Sequence, residues 1–362
     1  MFEEVVEQQA AKSLLQSAIE DGPVHAYLFH GPPGVGKQKT ALAFAAHLLG
    51  DRGRVERRAH PDLYFLEPLG DQIRIDEIRA LRRDLHMRPF EADRRVYLLV
   101  SAHLLNDEAA DALLKDLEEP PPYAVIILLA DELGPLPETI RSRCQLVPFS
   151  RLSEKAVHTV LAAQAPGLPA DRVTALARVA GGRLDRAERL LDDDASAWRE
   201  ELLALARGVY ADPSFEPSAA AASVVRMADT VAKTARAAAE EEVEWLDLPD
   251  REREQRLRRA EFGATRKSVL EALEELAAWY RDLVVVAVGA EAVVTHFDHL
   301  AALREDGSVE RLPGAERAAE IVRESWRWFE ELNLQPRLAL EALFVRLRAE
   351  LAGSAASAVT PG

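Results

Sequence analysis

AYLFHGPPGVGKQKTALAFAAHLL, residues 26–49, decides the fold. The short apolar run from Ala26 closes on Gly31, a glycine-rich loop follows, and from Lys37 to Leu49 the apolar residues recur at helical spacing. That is a strand, a tight loop and a helix. The loop almost matches the phosphate-binding pattern G-x-x-x-x-G-K-[ST]: Gly31, Gly36 and Lys37 are in place and Gly34 adds a further glycine, but the residue after the lysine is Gln38.

Working outward, residues 1–150 continue the alternation. DLYFLEP (62–68) reads as a second strand, and DQIRIDEIRALRRDL (71–85) as a helix with Ile75, Ile78 and Leu81 on one face. RRVYLLVSA (94–102) and YAVIILLA (123–130) are continuous apolar runs, as expected of strands buried on both faces of a parallel sheet. Between them NDEAADALLKDLEE (106–119) opens on an N-cap asparagine and first-turn acids and stops at Pro120–Pro122. Strands separated by helices make an open α/β sheet. After PFSRLSEKAV the strand signals end. Residues 151–211 read as a small helical unit, with Ser153 as a cap and Gly181-Gly182 as a break; residues 212–352 read as a larger helical domain. Its first part, 212–262, holds the small-residue run Ser218–Ser223 and a mixed-charge stretch, and is expected to be a long exposed helix or a partly mobile insertion. Residues 353–362 read as a disordered tail.

Composition narrows the function. At 362 residues the chain is too long for one core, and 48% hydrophobic with 29% charged residues is a soluble globular balance. There is no uninterrupted apolar window of about 18 residues, hence no expected membrane span. The acidic, amphipathic start MFEEVVEQQAAKSLL is unlike a secretory signal, so the expected location is cytoplasmic. One cysteine, Cys144, excludes an intrachain disulfide and a multi-cysteine zinc site. A net charge of −16 disfavours a free-standing nucleic-acid binder but leaves room for a locally basic face.

The chemistry of the loop turns on metal. Backbone N–H groups of a working loop wrap the phosphates, its lysine reaches them, and a hydroxyl joins the Mg2+ shell. Gly31, Gly34, Gly36 and Lys37 retain the first two functions, while Gln38 has no hydroxyl to offer an ion that tolerates little distortion. The acid expected at the end of a neighbouring strand is also missing: RRVYLLVSAHLLN runs into Val100 and Ser101, with His103 beyond. Two losses on opposite sides of one metal argue against hydrolysis.

HAYLFHGPPGVGK, HPDLYFLEP, NDEAADALLKDLEEPPPYAVIILLA and TIRSRCQLVPF, in this order, resemble the clamp-loader branch of the AAA+ ATPases, and more narrowly the delta-prime subunits of bacterial DNA polymerase III clamp loaders. The resemblance is dense over residues 1 to about 200 and returns in LNLQPRLALEALFVRL (332–347), similar to the family's collar helix. It implies an AAA+ module (1–150), a helical lid (151–211) and a helical collar (212–352). It further implies a subunit without ATPase activity of its own, working with motor (gamma/tau) subunits and a delta subunit to load a sliding clamp on primed DNA. Within Ser142-Arg143-Cys144, the SRC motif, Arg143 would be an arginine finger acting on ATP held by a neighbour. No cofactor is required, residual ATP or ADP binding without productive Mg2+ stays open, and DRGRVERRAHPD, short and free of cysteine, departs from relatives with a zinc module there. Two alternatives remain: an ATPase working through Gln38, and a scaffold whose SRC motif is vestigial. A second sensor arginine would follow the glycine pair of GGRLDRAERLL, where register puts Asp185 or Arg186.

Two further features carry expectations. Arg79, Arg82, Arg83, Arg88, Arg94 and Arg95 either face DNA or line a solvated helix. Trp279, Tyr280, Trp326, Trp328 and Phe329 are expected to fill a helical core rather than stack on bases.

Overall fold

The computed structural model describes residues 2–68, 70, 72–244, 249–330 and 334–356. Two compact units make up the chain: residues 1–166 with 180–187, and residues 167–179 with 188–362. The stretch 151–211, read above as a lid, is therefore divided between them.

The first unit is built on five parallel strands, β1 (Ala26–His30), β2 (Leu63–Leu66), β3 (Arg95–Leu99), β4 (Ala124–Ala130) and β5 (Gln145–Pro148), in the order β2-β3-β4-β1-β5. All seven residues of β4 are buried, because helices cover both faces of the sheet. Alternate side chains enter different cores. Tyr27, Phe29, Val96, Leu98, Val125 and Ile127 meet α1 (Gln9–Glu20), α2 (Lys37–Leu49) and α3 (Arg52–Glu56). Leu28, Tyr97, Leu99, Ile126 and Leu128 meet α4 (Ile75–Leu85), α5 (Asp107–Glu118) and α6 (Glu138–Arg141). Asn106 caps α5 by accepting from the Ala109 N–H at 2.9 Å. The strand β5 has no strong sequence signal, since only Val147 of its four residues is buried. Ser153 caps α7 (Glu154–Gln164), which also belongs to this unit.

The second unit contains α8 (Ala170–Val179) and the long helices that follow α9 (Leu184–Arg189): α10 (Asp193–Ala211), α11 (Pro217–Glu244), α12 (Asp250–Ala287), α13 (Leu300–Asp306), α14 (Leu312–Glu330) and α15 (Pro336–Ala356). Residues 212–262 are not an exposed or loose insertion in the described structure. Ala220, Ala221, Val224 and Ala228 of α11 are buried against α12, because small side chains let two helices approach closely. Across the same pair Arg236 bridges Glu254 and Glu261, both at 3.1 Å, so part of the mixed charge is spent between helices. Trp279, Tyr280 and Phe329 lie in this core, with Trp326 and Trp328 packed on it. The helix expected from residue 332 starts at Pro336, and residues 331–333 lie outside the described residues. α15 runs to Ala356, into the stretch expected to be disordered, and residues 357–362 lie outside the described residues. No described helix is long and apolar enough to cross a membrane.

Candidate functional site

The glycine loop leaves β1 at Gly31 and enters α2 at Lys37. A side chain at Gly31 would put its Cβ 2.1 Å from the Phe149 carbonyl oxygen, so the loop is pressed against the chain after β5. Lys37 is 7% exposed. Its Nζ donates to the Gly31 and Pro32 carbonyls at 2.5 and 2.6 Å and meets Asp131 Oδ1 at 2.8 Å. Burial pulls the Lys37 ammonium below the usual lysine range, and Asp131 opposes that shift. The lysine is thus tied to its own loop and to an acid of its own chain.

Asp131 follows β4, which pairs directly with β1. Sequence reasoning sought an acid after β3 and found Val100 and Ser101; the carboxylate that does reach the lysine comes from the next strand over. Its backbone N–H donates to His103 Nδ1 at 3.2 Å, and burial holds that imidazole below the usual histidine range, as befits an acceptor. Gln38 is half-buried, and the nearby Thr40 hydroxyl is turned into α2, donating to the Gly36 carbonyl at 2.8 Å.

Of the residues after the glycine pair, Asp185 lies against the loop. The Leu184 N–H donates to the Gly34 carbonyl at 2.8 Å, and a Cβ on Gly34 would fall 1.6 Å from Asp185 Oδ1. This acid is itself bridged to Arg183 at 3.0 Å.

Ser142, Arg143 and Cys144 occupy the turn between α6 and β5. Ser142 Oγ donates to the Thr139 carbonyl at 3.1 Å. Arg143 Nη1 donates to the same carbonyl at 3.0 Å, and its Nη2 lies 2.6 Å from Glu118 Oε1 at the end of α5. The side chains of Arg143 and Glu118 are 35% and 50% exposed. Cys144 packs on the core below, and burial pushes its thiol up to about 12.

The sheet register separates the two sites. Gln145 is level with Tyr27 and Pro148 with His30. At roughly 3.3 Å per residue those steps span about 10 Å, and the strands are parallel. Arg143 precedes β5, whereas the glycine loop follows β1, so the two lie at opposite ends of the sheet. Arg143 also stands beside an edge strand.

Three of the six arginines of the basic cluster pair with acids of the same unit. Arg82 binds Asp116 at 2.8 Å, Arg95 is buried against Asp84 at 2.6 Å, and Arg79 pairs with Asp76 at 3.2 Å. In the second unit, Glu200, Asp298 and His299 bring one ligand atom each to within 4.8 Å of one another. Asp298 is already held by Arg199 at 2.7 and 3.2 Å.

A five-stranded parallel sheet in this order, with a glycine loop and lysine between its first strand and helix, defines an AAA+ α/β module. Residues 6–153 match the family described as DNA polymerase III, delta subunit. Over these residues the module is similar to clamp-loader subunits. The chain is 34% identical over 170 residues to DNA polymerase III subunit delta' of Bacillus subtilis, covering 43% of this chain and 52% of the relative. It is 35% identical over 181 residues to the delta' subunit of Pseudomonas aeruginosa, covering 46% and 55%. It is also 33% identical over 170 residues to the tau subunit of Bacillus subtilis, covering 43% and 30%. The chain thus spans about half the length of these delta' relatives. Identity to delta' and tau is nearly equal, so the distinction between them rests on the site residues.

Proposed function

We propose that this chain is a delta-prime-type clamp-loader subunit that does not hydrolyse ATP itself and supplies Arg143 in trans to ATP held by an adjacent motor (gamma/tau-type) subunit. It works in the cytoplasm with those subunits and a delta subunit, helping to load a sliding clamp on primed DNA, and needs no cofactor of its own. The observation that carries this reading is the placement of Arg143 at the end of the sheet opposite the chain's own glycine loop, half-exposed beside an edge strand. A triphosphate met by that guanidinium belongs to another molecule. The loop itself supports the non-hydrolysing part, since Lys37 is bound to two loop carbonyls and Asp131, Asp185 lies on Gly34, Gln38 has no hydroxyl and Val100 no carboxylate to offer Mg2+. Residual ATP or ADP binding by Gly31, Gly34, Gly36 and Lys37 would be non-productive. A guanidinium completing a phosphoryl-transfer site is worth about 10³ to 10⁵ in rate.

The test is ATP turnover by a loader reconstituted from this chain, motor and delta subunits, with sliding clamp and primed DNA. Arg143→Ala removes turnover at the one site it completes, and the isolated chain shows no ATPase sensitive to Lys37→Ala. An isolated activity that collapses on Lys37→Ala overturns the non-hydrolysing reading. One observation favours the scaffold alternative, namely that Arg143 already has a carboxylate partner in Glu118; unchanged turnover in Arg143→Ala would select it.

A further inference from the structure

The guanidinium of Arg143 is held from two sides by different elements. Thr139 of α6 offers its carbonyl to Nη1 at 3.0 Å, and Glu118, the last residue of α5, offers Oε1 to Nη2 at 2.6 Å. Both anchors spring from packed backbone. The Thr139 carbonyl is backbone. Glu118 ends a helix capped at its start by Asn106, packed through Ala109, Ala110, Leu113 and Leu117, and stopped by Pro120–Pro122. A carboxylate carried on an anchored helix end and a backbone carbonyl hold the guanidinium between them, which leaves a flexible arginine less to lose when a phosphate arrives. One oxygen of Glu118 on one nitrogen is not the bidentate fork that would satisfy a guanidinium, which has five donors.

We infer that Glu118 is a positioning residue for Arg143: it sets the guanidinium at the subunit edge before nucleotide binds, without touching the nucleotide itself. This rests on the trans-finger reading of Arg143 above. It assigns a role to the first of the two glutamates that close LLKDLEE (residues 113–119), which the sequence alone presents as an ordinary solvent-facing acid near a helix end. Preorganisation of this kind acts on kcat, since misplacement of a transition-state group by about 1 Å costs up to about 10²-fold while substrate binding is little changed.

The experiment measures DNA-stimulated ATP turnover of the reconstituted loader, with clamp and primed DNA, for Glu118→Ala, Glu118→Gln, Arg143→Ala and the double variant Glu118→Ala/Arg143→Ala. Assembly of each complex is checked by size-exclusion chromatography. The expected result is a fall in kcat of about threefold to tenfold for Glu118→Ala with KM for ATP unchanged. Partial recovery is expected in Glu118→Gln, whose amide oxygen still accepts from Nη2, and no additional loss when Glu118→Ala is placed on Arg143→Ala. If Arg143→Ala reduces turnover and Glu118→Ala does not, the positioning role is overturned and the finger reading stands. If Arg143→Ala itself has no effect, the finger reading fails first. Faster basal turnover in Glu118→Ala would make the glutamate a restraint on the finger and also overturn the inference. An equal loss with and without Arg143, or loss of assembly, would assign Glu118 to the subunit interface instead.

Discussion

Lys37 and Asp131, ninety-four positions apart in sequence, meet at 2.8 Å, with the lysine 7% exposed. The residue that a phosphate-binding loop would present to a triphosphate is here neutralised by its own chain. A buried ammonium that loses its counterion keeps the carbonyls of Gly31 and Pro32 and the more distant attraction of Asp185. Asp131→Asn is expected to cost about 1 kcal/mol, a modest value because Asp131 is 39% exposed and partly screened. Adding Lys37→Met to that variant removes the unpaired charge and restores much of the loss. Urea unfolding of the three proteins checks this; a double variant weaker than Asp131→Asn would rule out the charge-pair account.

Gly34 has φ +68°, and a methyl there would collide with Asp185. Gly34→Ala is expected to destabilise by about 1–2 kcal/mol from backbone strain alone, with the clash adding to it. Combining it with Asp185→Ala relieves the clash but not the strain. Thermal melts should therefore place the double variant between wild type and Gly34→Ala. A double variant equal to wild type would show that φ contributes nothing.

Asp62, within the HPD triplet, is fully buried and accepts from the N–H groups of Phe90, Glu91 and Ala92 at 2.6, 3.0 and 2.9 Å. Burial pushes its carboxyl up, but the three N–H donors outweigh that and hold it below the usual range. The HPD triplet thus does structural work, closing the loop before β3. With a folded pKa below the unfolded one, this stability is present above the ordinary carboxylate range and is lost as pH falls through the folded value. Asp62→Ala is expected to cost about 3 kcal/mol by leaving N–H groups unpaired, and to flatten the acid limb of a stability–pH curve. A cost under about 0.5 kcal/mol would contradict it.

His296 in the helical unit is completely buried, with Nδ1 2.9 Å from Asp282 and Nε2 3.1 Å from Glu275. Burial lowers its pKa, but the two carboxylates more than compensate and raise it above the usual histidine range. Arg199, 3.8 Å from Glu275, and Arg281, 3.1 Å from Asp282, are further cations facing this group, and Asp282 also accepts from the Thr295 and His296 N–H groups. A raised folded pKa gives stability that is full below the unfolded value near 6.5 and is lost as pH rises through the folded value. Melting temperature should decline on the alkaline side of neutrality in wild type and decline less in His296→Gln. Parallel curves for the two proteins would exclude this histidine as the source.

The strands β1, β3 and β4 were legible because a strand buried on both faces must be apolar throughout, and α5 because its cap and its proline stop are local chemistry. Likewise the absence of a hydroxyl after Lys37 and of an acid after β3 are facts of residue identity. The sequence by itself therefore determined the α/β module, the missing hydroxyl after Lys37 and the Ser142-Arg143-Cys144 candidate. It did not reveal β5, whose edge position leaves only Val147 buried, or the close packing of α11, whose alanines carry little periodic signal. Tertiary structure alone decided that Asp131 meets Lys37, that Asp185 covers Gly34, and that Glu118 holds Arg143 at the far end of the sheet from the loop. Each of these joins residues on different elements, and what brings them together is strand order and helix placement, which are set by the packing of the whole core and leave no mark in local residue spacing.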